Sequence, residues 1–103
     1  MLLEFLQKAL ELGCDEIEIE YEGGHEVVTA FRGSFGIGIG SLKSGDASTP
    51  FFDEIRDLKR KKRVTIKGTT YSATVSTYES FGEWAHRIQL KTSVTRSSST
   101  KKS

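Results

Sequence analysis

Cysteine, proline, methionine and tryptophan each occur once in these 103 residues, as Cys14, Pro50, Met1 and Trp84. One thiol excludes an intrachain disulfide and a cysteine-based metal cage, and Cys14 reads as a small buried apolar residue. No stretch approaches the roughly 20 consecutive apolar residues of a membrane span. The N-terminal MLLEFLQKALELG is apolar only in patches, broken by Glu4, Lys8 and Glu11, and no small-residue cleavage site follows it. It reads as a helix and not as a signal peptide. With a single thiol and no leader, the expectation is a cytosolic, cytoplasmic protein.

Imidazoles are nearly as scarce, with only His25 and His86. His25 falls in a turn, and His86 shares a face with Trp84 and Ile88. Neither has a carboxylate or cysteine at a spacing typical of metal ligation. His86 reads as a hydrogen-bonded core residue, and the sequence offers no catalytic residue, metal site or cofactor site. Glycine, by contrast, is plentiful, which makes phosphate loops the first motif to test. Gly40-Ser41-Leu42-Lys43-Ser44-Gly45 has the gap of a P-loop, but Asp46 stands where the lysine is required and would repel the phosphates. The Gly36-Ile37-Gly38-Ile39-Gly40 run misses the dinucleotide fingerprint at Ser41, and no βαβ unit surrounds it.

The chain is long enough for one modest core. Its hydrophobic fraction of 36% is low, partly because residues 92–103 hold only Val94 as an apolar residue. Residues 1–91 are therefore expected to form a single domain, and 92–103 a disordered Ser/Thr/Lys tail.

The clearest pattern lies in residues 63–90. Val64 and Ile66, then Tyr71, Ala73 and Val75, then Trp84, His86, Ile88 and Leu90 alternate with polar neighbours, with breaks at Gly68 and Ser80-Phe81-Gly82. Period-two alternation with short Gly-containing breaks predicts a three-stranded antiparallel meander. Upstream, Leu2, Leu3, Leu6, Ala9 and Leu10 follow helical spacing and Gly13 closes the run. Ile17, Ile19 and Tyr21 then alternate with Glu16, Glu18, Glu20 and Glu22, a strand with an acidic outer face. Gly23-Gly24 turns the chain into a second strand, with Val27, Thr29 and Phe31 on one side and Val28 and Ala30 on the other, so this strand reads as central. The glycine run after Gly33 is a thin edge strand or a place where another backbone packs closely. Ser48 or Thr49 caps a helix with Pro50 in its first turn and Phe51, Phe52, Ile55 and Leu58 as its stripe. The predicted fold is α+β: an antiparallel sheet of about five strands with two helices on one face, in the order α-β-β-(β)-α-β-β-β. The expected core holds Leu3, Leu6, Leu10, Ile17, Ile19, Phe31, Phe52, Ile55, Leu58, Val64, Ile66, Val75, Ile88 and Leu90, with Tyr71 and Trp84 at its margin.

Net charge is +1, but residues 1–26 carry −7 and residues 55–103 carry +9. Such polarity fits complementary neighbours inside one fold, head-to-tail self-association, or a face aimed at a charged partner. The first is the leading expectation. The acidic Glu16, Glu18 and Glu20 and the basic Lys59, Arg60, Lys61, Lys62 and Arg63 are the candidate partner-binding residues. Within one fold, the basic run would be satisfied by its helix dipole and by the acidic strand. As a site, it would contact phosphates, making a nucleic-acid binder the alternative to a protein-interaction module. That alternative usually brings exposed aromatics, and here the aromatics mostly fall at core-facing positions.

Residues 5–20, running Phe5-Leu6-Gln7-Lys8-Ala9-Leu10-Glu11-Leu12-Gly13-Cys14-Asp15-Glu16-Ile17-Glu18-Ile19-Glu20, resemble a pattern of the form A-x-x-x-G-A-S-D-I-H-I-E. That pattern opens the N-terminal, PAS-like domain of the type II secretion and type IV pilus assembly ATPases. Gly33 matches the glycine that ends the family's R-x-R-x-D-G strand. Ile66-Lys67-Gly68, Val75-Ser76-Thr77 and Phe81-Gly82-Glu83 resemble its later strand pair, so the similarity covers about residues 5–90. Val28 and Ala30 stand where the family has paired arginines, and the Walker motifs are absent. The resemblance thus implies a stand-alone, non-catalytic version of the domain, a type that mediates contacts between subunits and with regulators.

Overall fold

The computed structural model describes residues 1–93. The expected tail lies outside the described residues from Val94 onward, and the last strand runs through Thr92.

Helix α1 (Leu2–Glu11) buries Leu2, Leu6 and Ala9. It stops at Gly13, whose φ of 80° suits a residue without a Cβ. The Gly13 N–H donates to the Leu10 carbonyl and the Cys14 N–H to that of Ala9, the paired bonds of a Schellman motif. Cys14 is buried, as expected. Three strands follow, β1 (Glu16–Glu22), β2 (His25–Arg32) and β3 (Phe35–Lys43). A short 3-10 turn (Asp46–Ser48) leads into helix α2 (Thr49–Lys61), and β4 (Arg63–Ile66), β5 (Thr69–Ser80) and β6 (Glu83–Thr92) complete the chain. The sheet has six strands in the order β3-β2-β1-β6-β5-β4, every pair antiparallel. The meander predicted for residues 63–90 is β4-β5-β6. The glycine run, left open by the pattern, supplies the sixth strand at one edge.

Two-residue turns set the register. Glu22 pairs with His25, Ile66 with Thr69 and Ser80 with Glu83. The residues between them, Gly23-Gly24, Lys67-Gly68 and Phe81-Gly82, all have positive φ, the geometry that matches strand twist. In β2 this register places Ala30 opposite Ile17 and Val28 opposite Ile19. Val28 and Ala30 are fully buried among the helices, while Phe31 joins the opposite face. The expectation of Phe31 in the core therefore fails: the tight turn decides the face, and a two-residue loop leaves no slack for the larger side chain to choose.

The core lies between the helices and one sheet face and centres on Phe51, Leu6, Ile17, Ile19, Ile88 and Val28. Leu3, expected inside, is exposed, because its neighbours Leu2 and Leu6 set the buried stripe. Phe52, Leu10, Val64 and Val75 pack at the margin of the core. Of the glycines in β3, Gly40 lies under the Phe5 ring and Gly36 under the Phe31 ring. A Cβ at either would come within 2.6 or 2.7 Å of ring carbon. Side chains, not a backbone, make the close approach. Ser48 precedes α2, but its hydroxyl donates to the Gly45 carbonyl and not to the helix, so the expected side-chain cap is not made. At the other end Lys62 adopts the left-handed conformation and donates its N–H to the Leu58 carbonyl.

Candidate functional site

Which side of the sheet a residue faces decides what the two charged groups can do. Glu16, Glu18 and Glu20 alternate with the buried Ile17 and Ile19, so they occupy the face away from the helices. Opposite them on β6 stands Arg87, paired in register with Glu18. Its Nε lies 2.9 Å from Glu16 and its Nη2 3.1 Å from Glu18, and its guanidinium sits over the Phe31 and Tyr78 rings. The Tyr78 hydroxyl donates to Glu18, and the Ser80 hydroxyl to Glu20. Cross-strand relief of like charge thus comes from one arginine and two hydroxyls. Burial opposes the Arg87 charge, but Glu16 and Glu18 outweigh it and its pKa goes up.

Burial first, then the hydrogen bond to Glu18, pushes the Tyr78 phenol from 10.0 up to about 12. The folded value is above the unfolded one, so the stabilising share of this bond is complete below pH 10.0 and is lost as pH rises toward 12. In an alkaline titration followed by phenolate absorbance, a component near 12 is expected and should disappear in Tyr78→Phe.

The basic run lies at the helix side. Lys59, Arg60 and Lys61 form the last turn of α2, Lys62 caps it, and Arg63 opens β4. Arg60 and Lys61 pair with Asp57 one turn back. Lys59, Lys62 and Arg63 are exposed and make no ion pair among the described residues. The expectation that the acidic strand neutralises this run does not hold, since the sheet separates them. The two halves of the chain do meet in ion pairs, through Arg87 and through Lys67 with Glu11, but not through residues 59–63.

Between α2 and the sheet, near the ends of the β1–β2 and β5–β6 hairpins, lies a cleft of about 450 Å³. Tyr21, Glu26, Phe52, Lys59, Trp84 and His86 line it, over a floor that includes Ile55 and Val75. The Phe52 and His86 rings are 5.3 Å apart, and the His86 Nδ1 is 3.1 Å from the Thr77 hydroxyl. Burial pushes the His86 pKa down, opposed by Glu26 and aided by Lys59, so the ring favours its neutral form. The expected hydrogen-bonded histidine is found, but at the wall of a cleft and within electrostatic reach of a carboxylate. His25 is exposed beside its turn. Glu26 is 6% exposed and accepts a hydrogen bond from the Ser44 hydroxyl.

Several aromatics depart from the core-facing expectation. Trp84 is 66% exposed, Phe81 wholly exposed at its turn, and Phe35 and Tyr21 are exposed as well. The cleft was missed in the sequence because β1, β2, α2, β5 and β6 each contribute to it. One signal was present: Glu26 shares the parity of Val28 and Ala30, and a carboxylate in phase with a buried face marks either a partner or a ligand.

Among the described residues no group of three His, Cys, Asp or Glu side chains is placed to hold a metal ion. Among the described residues no helix is long and apolar enough to cross a membrane. No protein-family model matches the chain, and no curated protein matches it.

Proposed function

We propose that this chain is a small, non-catalytic interaction module that docks an acidic protein surface on the basic end of α2, with a second copy as one such partner. The observation behind this reading is the separation of the two charged groups by the sheet. Lys59, Lys62 and Arg63 face outward without an ion pair among the described residues, while Glu16, Glu18, Glu20 and the exposed Glu22 face outward on the other side with Arg87 as their cation. Complementary surfaces on opposite sides of one molecule favour head-to-tail contact. The resemblance of residues 5–90 to the N-terminal domain of secretion and pilus ATPases supports the same reading, since such domains mediate subunit contacts. Val28 and Ala30, at the positions of that family's paired arginines, are buried and have no role in nucleotide hydrolysis.

Reversing the exposed pair as Lys62→Glu with Arg63→Glu tests the proposal. Sedimentation velocity at low salt is expected to show association in the parent and a monomer in the variant, with unchanged circular dichroism. Equal association in both would refute a contact through this run.

A second reading, nucleic-acid binding, is favoured by Trp84 and Phe81, whose rings are exposed, with Trp84 lining the same cleft as Lys59. Exposed aromatics beside cations form stacking platforms for single strands. On this reading, affinity for an oligonucleotide falls steeply with salt.

A further inference from the structure

The cleft is lined by a carboxylate that is mostly buried yet keeps acceptor positions open to it. Glu26 sits on the core-facing side of β2 at 6% exposure, and the Ser44 hydroxyl is its side-chain donor among the described residues. A carboxylate offers about four acceptor positions, and since no buried side-chain oxygen among the described residues lacks a partner, those not taken by Ser44 meet water. Its neighbour His86 favours the neutral state and spends Nδ1 on Thr77. The carboxylate thus lines the cleft with acceptor positions that a ligand could take over from water. Lys59 also lines the cleft and makes no ion pair among the described residues, and Arg56, which pairs with Asp53, shares the lining. Trp84 and Phe52 supply flat apolar walls, and the volume of about 450 Å³ lies within the usual range for small-molecule sites.

These three features ask for a ligand with a flat ring, adjacent N–H donors at one end and an anion at the other. We propose that the cleft binds a guanine mononucleotide, with the ring against Trp84, the ring N–H and exocyclic amine donating to Glu26, and the phosphate at Lys59 and Arg56. Guanine places two donors side by side, and a carboxylate accepts both. Adenine offers an amine beside a ring acceptor, whose lone pair opposes the carboxylate. A pyrimidine presents less surface to the indole. This site shares Lys59 with the basic surface proposed for docking but not Lys62 or Arg63, so the Lys62→Glu with Arg63→Glu variant, read with no nucleotide present, tests the contact alone, and nucleotide binding tests the cleft.

The test is a titration of the intact chain with guanosine monophosphate, adenosine monophosphate and ribose 5-phosphate. Trp84 is the only tryptophan, so its emission reports on this cleft, with calorimetry as the second readout. Saturable quenching by the guanine nucleotide is expected, with the adenine nucleotide at least about tenfold weaker and the sugar phosphate silent. Glu26→Gln should erase the difference between the two bases. Lys59→Glu, at an exposed position, should weaken the guanine nucleotide at least about fivefold while the melting temperature holds. Should Glu26→Gln fail to fold, the base preference of the parent and the Lys59→Glu result still decide. Absence of saturable binding at millimolar nucleotide, equal affinity for the two bases, or indifference to Lys59→Glu would each overturn the proposal.

Discussion

Phe51→Ala is expected to destabilise the protein by about 3–5 kcal/mol, the range for removing a fully buried phenyl ring. Phe51 has no exposed surface. Its ring meets Phe5 edge-on at a centroid distance of 5.7 Å and Phe52 at 5.8 Å, so the ring joins α1 to α2 over the sheet. The surrounding side chains are held by two helices and paired strands, which limits collapse into the hole. Set against a total stability of about 5–15 kcal/mol for domains in general, the loss removes a large share of the margin against unfolding. Urea unfolding followed by circular dichroism gives the value. Phe52→Ala, at a half-buried position on the cleft wall, is the comparison and should cost clearly less. Equal losses would mean that α2 is not anchored through Phe51.

Arg87→Glu carries the second large effect. Arg87 is the cation placed between Glu16 and Glu18, whose side chains are 20% and 16% exposed. Reversal places a fourth carboxylate beside Glu16, Glu18 and Glu20. It also removes the guanidinium that lies over Phe31 and Tyr78. Fully exposed pairs contribute at most about 1 kcal/mol, and breaking deeply buried ones costs about 3–5 kcal/mol. Arg87 itself is 47% exposed, so screening keeps the expected loss between these, about 2 kcal/mol. The charge origin is checked by a second change. Glu18→Gln in the Arg87→Glu background should recover part of the stability. Loss without recovery would assign the effect to packing of the arginine stem over the rings.

The parts of this fold that follow the chain locally were legible in the sequence. Gly13, Gly23-Gly24, Gly68 and Gly82 mark turns because their positive φ excludes most side chains, and between them the alternation of Ile17 with Ile19 or Ile88 with Leu90 gives strands. What depends on distant neighbours was hidden. The face chosen by β2 rests on its register with β1, so Phe31 looked like core and Val28 did not. The glycines at 36 and 40 became intelligible once Phe31 and Phe5 were seen lying over them. The charge asymmetry was visible, but the sheet was not: it keeps residues 59–63 away from the acidic strand, whose cation is Arg87 instead. For the cleft, Glu26, Lys59 and Trp84 are separated by long stretches of chain and obey no common spacing. A carboxylate in phase with the buried Val28 and Ala30, Glu26, was the one local sign.

Sedimentation equilibrium of the intact chain at low and at high salt, with and without a mixed-sequence oligonucleotide, addresses the central claim most directly. Outward-facing complementary poles predict association that grows with concentration at low salt, dissolves at high salt and is unchanged by the oligonucleotide. A monomer under both conditions that takes up the oligonucleotide at low salt would contradict the account and make residues 59–63 a phosphate-binding surface.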